Sequence, residues 1–161
     1  MNIAFILNGE DVVIRTNPER RLTDILRATF KLLEAKTGCY MGQCGACSVI
    51  VDGVVVKSCL IPAFKIRDSE IITIEGFSQT EDYRDIATGF EKAGVITCGF
   101  CNSGKILAAE ALLSKNHRPS RIEIIKAFEG IKCRCTEPEN LIKGILASTA
   151  HRRRRLHGRS N

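Results

Sequence analysis

The sequence predicts an α+β protein in which a small sheet-containing unit is followed by a domain of four helices. Short β-branched runs flank Asn-Gly and Asp-Gly pairs in residues 1–76, and such pairs tolerate the positive φ angles of β-hairpin turns. After Gly76, apolar residues recur at three- and four-residue steps, the spacing of amphipathic helices. We therefore divide the chain into domains at 1–76 and 77–150 and a flexible basic tail at 151–161.

The first domain is predicted to contain about five strands and one long helix. Asn8-Gly9 and Asp52-Gly53 each join two strands as a tight turn. Apolar residues at helical spacing predict the helix over residues 22–33. In chain order, the predicted strands are Ile3–Leu7, Asp11–Arg15, Ser48–Val51, Val54–Ser58 and Ile71–Glu75.

The second domain is predicted to be a bundle of four helices. A polar segment without apolar periodicity, Ser78–Asp82, is expected to link it to the first domain. The predicted helices are Tyr83–Lys92, Ser103–Lys115, Ser120–Glu129 and Pro138–Ser148. The expected core of the bundle includes Leu107, Leu112, Leu113, Ile124, Ile125 and Leu141.

Charge and composition argue against nucleic-acid binding and against a membrane span. The formal net charge is +6, but the tail supplies five arginines, and residues 1–151 carry 19 basic and 18 acidic side chains, a net charge of +1. The basic character therefore belongs to the tail, which we interpret as a solubilising end. Because no apolar run approaches the ~20 residues of a membrane span and the N-terminus does not resemble a signal segment, we expect a cytosolic protein with reduced thiols.

Four of the eight cysteines have the spacing of a plant-type iron-sulfur site. Cys39, Cys44, Cys47 and Cys59 read C-x4-C-x2-C, followed after eleven residues by the fourth cysteine. Thiolates are soft ligands that suit an iron-sulfur cluster, and the glycines between them allow tight turns that aim backbone N–H groups at the sulfurs. Four merely structural cysteines would leave this spacing to chance. We predict that the set binds a 2Fe-2S cluster.

The other four cysteines form a second ligand group. Cys98, Cys101, Cys133 and Cys135 read C-x2-C, thirty-one residues, then C-x-C. Each pair precedes a predicted helix, where free N–H groups and the helix dipole favour thiolates. On spacing alone, this set suits an iron-sulfur cluster or a structural zinc ion. The zinc alternative makes the chain a ferredoxin-type electron carrier whose C-terminal half is a zinc-stabilised binding module.

No catalytic residues stand out, so an electron carrier with two stations is the favoured interpretation. His117, His151 and His157 share no ligand spacing with the cysteines, and no Ser/His/Asp set, phosphate-binding loop or dinucleotide fingerprint is present. Lys132 and Arg134 flank the second pair of cysteines; positive charge near a cluster favours its reduced state, but solvated loop charges are an equally good interpretation. A disulfide-stapled secreted protein conflicts with the expected lack of a signal segment.

The motifs resemble the small iron-sulfur subunit of the xanthine dehydrogenase family of molybdenum hydroxylases. The likeness extends through about Leu146 and depends on GCYMGQCGACSVIVDG, the return at Cys59, ITIEG, CGFC and CRCT. It implies a ferredoxin-like β-grasp domain with the first cysteine set and a helical domain with the second. It also implies that both sets hold 2Fe-2S clusters.

The resemblance implies partners as well. In this family, electrons pass from a molybdopterin-binding large subunit through the helical-domain cluster and then the ferredoxin-like cluster to an FAD-binding medium subunit. Cys135 and its neighbours would lie beside the pterin. Xanthine or another purine is the default substrate class, and hydroxylation would take place on the large subunit. The chain is therefore expected to be inactive alone.

Several residues near the second cysteine set depart from the family pattern. Thr97 stands where a glutamine usually faces the pterin, and Glu137-Pro138 replaces a common Gly-Tyr pair. The usual Thr-Pro-Gly-Met run is also changed, at Asn102, Ser103 and Lys105 around Gly104. We expect a divergent pterin-facing surface around an intact set of ligands.

Overall fold

The computed structural model describes residues 1–158 and confirms the α+β class. Five strands form one mixed sheet in the order β2-β1-β5-β3-β4, in which β1 and β5 run parallel and the other neighbours run antiparallel. The strands are Asn2–Leu7 (β1), Glu10–Arg15 (β2), Ser48–Val51 (β3), Val54–Lys57 (β4) and Glu70–Ile72 (β5). The helices are Leu22–Ala28 (α1), Ile74–Phe77 (α2), Glu81–Lys92 (α3), Asn102–Leu113 (α4), Arg121–Phe128 (α5) and Pro138–Gly158 (α6).

Both predicted hairpin turns are present. Asn8 and Gly9 have φ angles of 51° and 86°, and Asp52 and Gly53 have φ angles of 49° and 79°, as a turn with two positive-φ residues requires. The Asn8 side chain also accepts a hydrogen bond from the Thr73 backbone N–H at 2.8 Å and donates one to the Thr73 hydroxyl at 3.1 Å. The first turn is thereby attached to the residue before α2.

The sheet is covered on both faces, so the two halves of the chain share it. Successive residues of a strand point to opposite faces. In β3, Val49 belongs to a core that contains Leu22 and Ile25 of α1, whereas Ile50 belongs to a core that contains Leu107 of α4. One face of the N-terminal sheet therefore packs against α4, the helix that follows Cys98 and Cys101.

The first helix is shorter than predicted. Helix α1 ends at Ala28, because Lys31 has a positive φ of 57° and breaks the helical path. The Arg27 side chain then donates hydrogen bonds to the carbonyl oxygens of Leu33, at 2.6 Å, and Ala35, at 3.3 Å. These bonds hold the chain as it leaves the helix and enters the loop of the first cysteine set.

The connection between the two halves is also shorter than predicted. The end of the last predicted strand forms α2 instead, and α3 begins at Glu81. Thr80 caps α3, since its side chain accepts a hydrogen bond from the Tyr83 backbone N–H at 3.1 Å. The linker is reduced to Ser78–Thr80, which leaves little freedom between the sheet and the helices.

The predicted helical core is largely confirmed. Leu107, Leu113 and Ile124 are buried, and Leu112 and Leu141 are partly buried against the same core. The prediction that Ile125 belongs to this core is wrong, because its side chain is 47% exposed on the short helix α5.

The prediction of a flexible tail is wrong for residues 151–158, while residues 159–161 lie outside the described part of the chain. Helix α6 continues to Gly158 and packs along α3. Ion pairs of its arginines hold this part of α6 against the other helices: Arg152 pairs with Glu110 of α4 at 2.6 Å, and Arg155 pairs with Asp85 of α3 at 2.7 Å. Within residues 1–158, no helix combines the length and apolar character needed to cross a membrane.

Candidate metal centres

The first cysteine set is assembled from the loop before β3 and the turn after β4. Cys47 directly precedes β3, and Cys59 lies in a 3-10 turn that directly follows β4. Antiparallel pairing of β3 with β4 and a hydrogen bond from the Ser58 N–H to the Cys47 carbonyl, at 3.2 Å, bring these two cysteines together. Both are buried, whereas Cys39 and Cys44 are half-buried.

The loop directs backbone N–H groups at the Cys39 sulfur. Met41, Gln43 and Cys44 donate at 3.3, 3.3 and 3.4 Å, and these bonds, that of Met41 foremost, lower the pKa of the Cys39 thiol to about 6. By contrast, burial raises the pKa of Cys59 to about 11. The first set therefore stabilises negative charge on the Cys39 sulfur, while water is excluded from the buried Cys47 and Cys59.

The second cysteine set lies at the starts of two helices. Cys101 is buried and immediately precedes α4, and Cys133 and Cys135 come shortly before α6. Burial acts to raise the pKa of Cys133, but backbone N–H groups of Cys135 and Thr136 and the charge of Lys105 act against it, and the pKa is lowered to about 7. Helix starts supply such N–H groups because their first turn lacks internal acceptors.

The thiols come together in pairs. Among residues 1–158, no group of three or more His, Cys, Asp or Glu side chains is arranged around a point that could hold a metal ion. Each of four thiols instead has a close thiol neighbour: Cys44 acts on the pKa of Cys39, Cys47 on that of Cys59, Cys135 on that of Cys98 and Cys133 on that of Cys101. Two pairs in each set fit a 2Fe-2S cluster, because such a cluster has four cysteine ligands for two irons.

The two sets border one cavity. The Lys132 backbone N–H, next to Cys133, donates to the carbonyl oxygen of Cys44 at 3.0 Å, and the cavity beside this bond has a volume of about 460 Å³. Its lining residues are Gly38, Cys39, Cys44, Cys98, Phe100, Cys101, Lys132, Cys133, Arg134 and Cys135. The structure therefore brings together cysteines that are up to 96 positions apart in the sequence, from Cys39 to Cys135.

Close backbone packing holds the two cysteine loops together. A Cβ added to Gly104 of α4 would lie 2.5 Å from the Gly45 carbonyl oxygen and 2.9 Å from the Ile131 side chain. The hydroxyl of Ser103, the residue before it, donates to the carbonyl oxygens of Glu34 and Ala46 at 3.1 and 3.0 Å. Ser103, noted only as a departure from the family pattern, thus joins the helical half to the first cysteine loop.

Lys105 is the residue of the site that sequence reasoning missed. It was noted only as a departure from the family pattern, yet its side chain is fully buried beside Cys133. The available signal was its position: a lysine in the first turn of a largely apolar helix, four residues after Cys101. Of the other departures, Thr97 is exposed and lines a separate cavity of about 330 Å³ with Asn102.

Comparison with known proteins identifies the family. The family described as a 2Fe-2S iron-sulfur cluster binding domain matches residues 5–71, and the family described as a 2Fe-2S binding domain matches residues 73–146. The chain is 45% identical, over 136 residues, to the nicotinate dehydrogenase small FeS subunit of Eubacterium barkeri, and the match covers 84% of this chain and 87% of that protein. The chain belongs to the iron-sulfur subunits of molybdenum hydroxylases.

Other members of this family are similar over nearly the whole chain. The xanthine dehydrogenase iron-sulfur-binding subunit of Escherichia coli O157:H7 is 35% identical, covering 91% of this chain and 92% of that subunit. The crystal structure of quinoline 2-oxidoreductase from Pseudomonas putida 86 contains a chain with a TM-score of 0.85 and 35% identity, covering 95% of this chain and 96% of that one. The family and the fold anticipated from the cysteine motifs are thus confirmed.

Proposed function

We propose that this family member relays electrons within a molybdenum-containing hydroxylase and that its eight cysteines hold two 2Fe-2S clusters. Cys39, Cys44, Cys47 and Cys59 bind the first cluster, and Cys98, Cys101, Cys133 and Cys135 bind the second. The observation that carries this proposal is the assembly of each set into two thiol pairs. The match of residues 73–146 to a 2Fe-2S binding domain favours a cluster over zinc at the second set.

The chain's own groups suit this chemistry. A 2Fe-2S cluster accepts and returns one electron. The N–H groups of Met41, Gln43 and Cys44 stabilise negative charge on the Cys39 sulfur. Burial of Cys47 and Cys59 keeps water from the inner side of the same set.

The two sets are joined by a short connection through the protein. Cys133 is bonded to Lys132, whose backbone N–H donates to the carbonyl oxygen of Cys44 at 3.0 Å. Covalent bonds and one hydrogen bond therefore connect a ligand of the second set to a ligand of the first. We propose this connection as the path between the clusters.

The exposed side of each set is proposed to face a different partner. Beside the second set, Cys98 and Cys135 are exposed and the Phe100 side chain is 49% exposed. We assign this face to the molybdopterin-binding large subunit. Beside the first set, Met41 and Leu60 are 64% and 56% exposed, and we assign this face to the FAD-binding medium subunit. The family resemblance supports the assignment, and one relative is named as the iron-sulfur-binding subunit of a xanthine dehydrogenase.

The complex is proposed to act in the cytosol on a nitrogen heterocycle, without binding nucleic acid. Xanthine or another purine is the default substrate, and the names of relatives include nicotinate, xanthine and quinoline. The substrate contacts belong to the large subunit. Residues 1–76 and 77–150 are our proposed division into the two cluster-binding domains.

Purification of the native complex tests the proposal. We expect a molybdenum-containing large chain and a flavin-containing chain to accompany this one, about four irons and no zinc per copy, and two paramagnetic signals after reduction. About two irons, one zinc and a single signal would support the zinc-stabilised alternative instead. Iron-free material, even after anaerobic reconstitution, would exclude both.

A further inference from the structure

We infer that Lys105 is the buried counter-ion of the second cluster and raises its reduction potential. This inference rests on the proposed function, since it requires a 2Fe-2S cluster on the second cysteine set. It adds a residue that acts on the cluster without being one of its cysteine ligands. It also explains why a lysine is fully buried in the largely apolar helix α4.

The Lys105 ammonium has a complete set of hydrogen-bond acceptors. Its Nζ donates to the Ile96 carbonyl oxygen at 2.7 Å, to the Thr136 hydroxyl at 3.2 Å and to the Cys133 sulfur at 3.7 Å. The Thr136 hydroxyl donates in turn to the Ile96 carbonyl at 2.8 Å, which leaves its lone pairs available to the lysine. Three acceptors match the three donors of a charged ammonium, so the site is built for the protonated side chain.

This ammonium lacks a carboxylate partner. In the part of the chain that the structure describes, the ion pairs involve other basic residues, and none includes Lys105. Because Lys105 is fully buried, an uncompensated charge there would be costly. Carbonyl and hydroxyl groups provide hydrogen bonds but no negative charge. The thiolates of the second set, starting with Cys133, are the compensating charge.

The position of this charge gives it a defined effect on the electron affinity of the site. Reduction adds one negative charge to an iron-sulfur cluster, and a nearby cation stabilises the reduced form more than the oxidised form. The effect is strong where water is excluded and weak where water screens the charge. Lys132 and Arg134 flank Cys133 in the sequence but are exposed. Because Lys105 alone among these three is buried, we expect it to have the largest effect on the reduction potential of the second cluster.

The test is an anaerobic redox titration of the purified complex, followed by paramagnetic resonance. In the Lys105→Met variant, the midpoint potential of the second-set signal should fall by at least about 59 mV, a tenfold change in the one-electron reduction equilibrium. The first-set signal should keep its midpoint. Lys105→Gln retains a donor without the charge and should show a fall as well. Lys115→Met removes an exposed charge just beyond the other end of α4 and should leave both midpoints in place.

The outcomes separate this inference from the proposed function. Two signals with unshifted midpoints in Lys105→Met would overturn the inference and leave the proposed function standing. A wild-type midpoint in Lys105→Gln would assign the effect to the hydrogen bond and overturn the role of charge. Loss of the second signal in both variants would give Lys105 a purely structural role. Absence of signals in the wild-type complex would instead overturn the proposed function.

Discussion

Single residues show two different ways of stabilising negative charge on sulfur. In the first set, three backbone N–H groups converge on Cys39. In the second set, N–H groups of the loop before α6 are supplemented by the ammonium of Lys105. The spacing of the cysteines alone predicted the eight candidate ligands, because this spacing can be counted directly in the sequence. It did not predict that Lys105 is buried, because burial depends on how α4 meets Ile96 and Thr136.

Replacement of one ligand in each set tests whether the sets are independent. We expect Cys98→Ser to remove one of two paramagnetic signals in the reduced complex and to block turnover, because Cys98 belongs to the second set only. The matched change in the first set, Cys39→Ser, should remove the other signal. Low-temperature paramagnetic resonance is the measurement. Loss of both signals in either variant would contradict two separate sites.

Helix α6 shows how charge can extend an element beyond its apolar pattern. Apolar periodicity predicted that the helix ends near Ser148, because the arginine run 152–155 follows shortly after it. In the structure, the helix continues because Arg152 and Arg155 meet acidic residues of α3 and α4. The pattern of apolar residues is local, whereas these partners lie far away in the sequence. Strand and turn positions in the first half were better predicted, because Asn-Gly and Asp-Gly pairs act locally.

Arg152 should be necessary for the stability of the helical half. Its side chain is 5% exposed and pairs with Glu110, which is 14% exposed, so Arg152→Ala leaves a buried carboxylate without its cation. We expect a loss of about 3–5 kcal/mol in the free energy of unfolding, measured by chemical denaturation. Arg154→Ala is the control, because Arg154 is exposed on the same helix. Equal stability of the two variants would contradict the structural role of the network.

The start of α5 should be sensitive to pH. Ser120 and Glu123 form a capping box, and the hydrogen bond from the Ser120 backbone N–H lowers the pKa of the Glu123 carboxyl. The ionised Glu123 carboxylate therefore contributes to stability above the pKa of about 4.3 that a glutamate has in the unfolded chain. This contribution is lost as the pH falls through the lower pKa of Glu123 in the folded protein.

Glu123→Gln should accordingly unfold at lower denaturant than the wild type at neutral pH, and the difference should shrink in acid. Glu129→Gln removes the same charge at the opposite end of α5 and serves as the control. Urea titrations at several pH values measure the effect. A difference that does not change with pH would exclude the carboxylate as its source.

At the scale of the whole molecule, the relation between the two halves depends on contacts that sequence patterns do not contain. The sheet supports helices on both faces, and the two cysteine loops meet at Gly45, Gly104 and Ile131. Family likeness predicted that one half would be ferredoxin-like and the other helical. It did not specify the hydrogen bond between Lys132 and Cys44, because a backbone contact leaves no signature in residue type.

The contact at Gly104 offers a test of the proposed connection between the clusters. Gly104→Ala places a methyl group against the Gly45 carbonyl and the Ile131 side chain, so the two loops must separate slightly. We expect slower electron exchange between the clusters and a weaker magnetic interaction between their reduced forms, measured by rapid-freeze paramagnetic resonance. Gly158→Ala is the control, because an added Cβ there meets nothing within 4 Å. Unchanged exchange in Gly104→Ala would argue against this connection as the path.

The unequal exposure of the thiols determines how the isolated chain would respond to air. Cys98 and Cys135 are exposed, whereas Cys47 and Cys59 are buried. Oxidation of sulfur ligands follows thiolate character and access, so dioxygen and peroxide should reach Cys98 and Cys135 before Cys47 and Cys59. In the proposed complex, a partner subunit at this surface would shield Cys98 and Cys135 from such oxidation, a protection that a free carrier would not have.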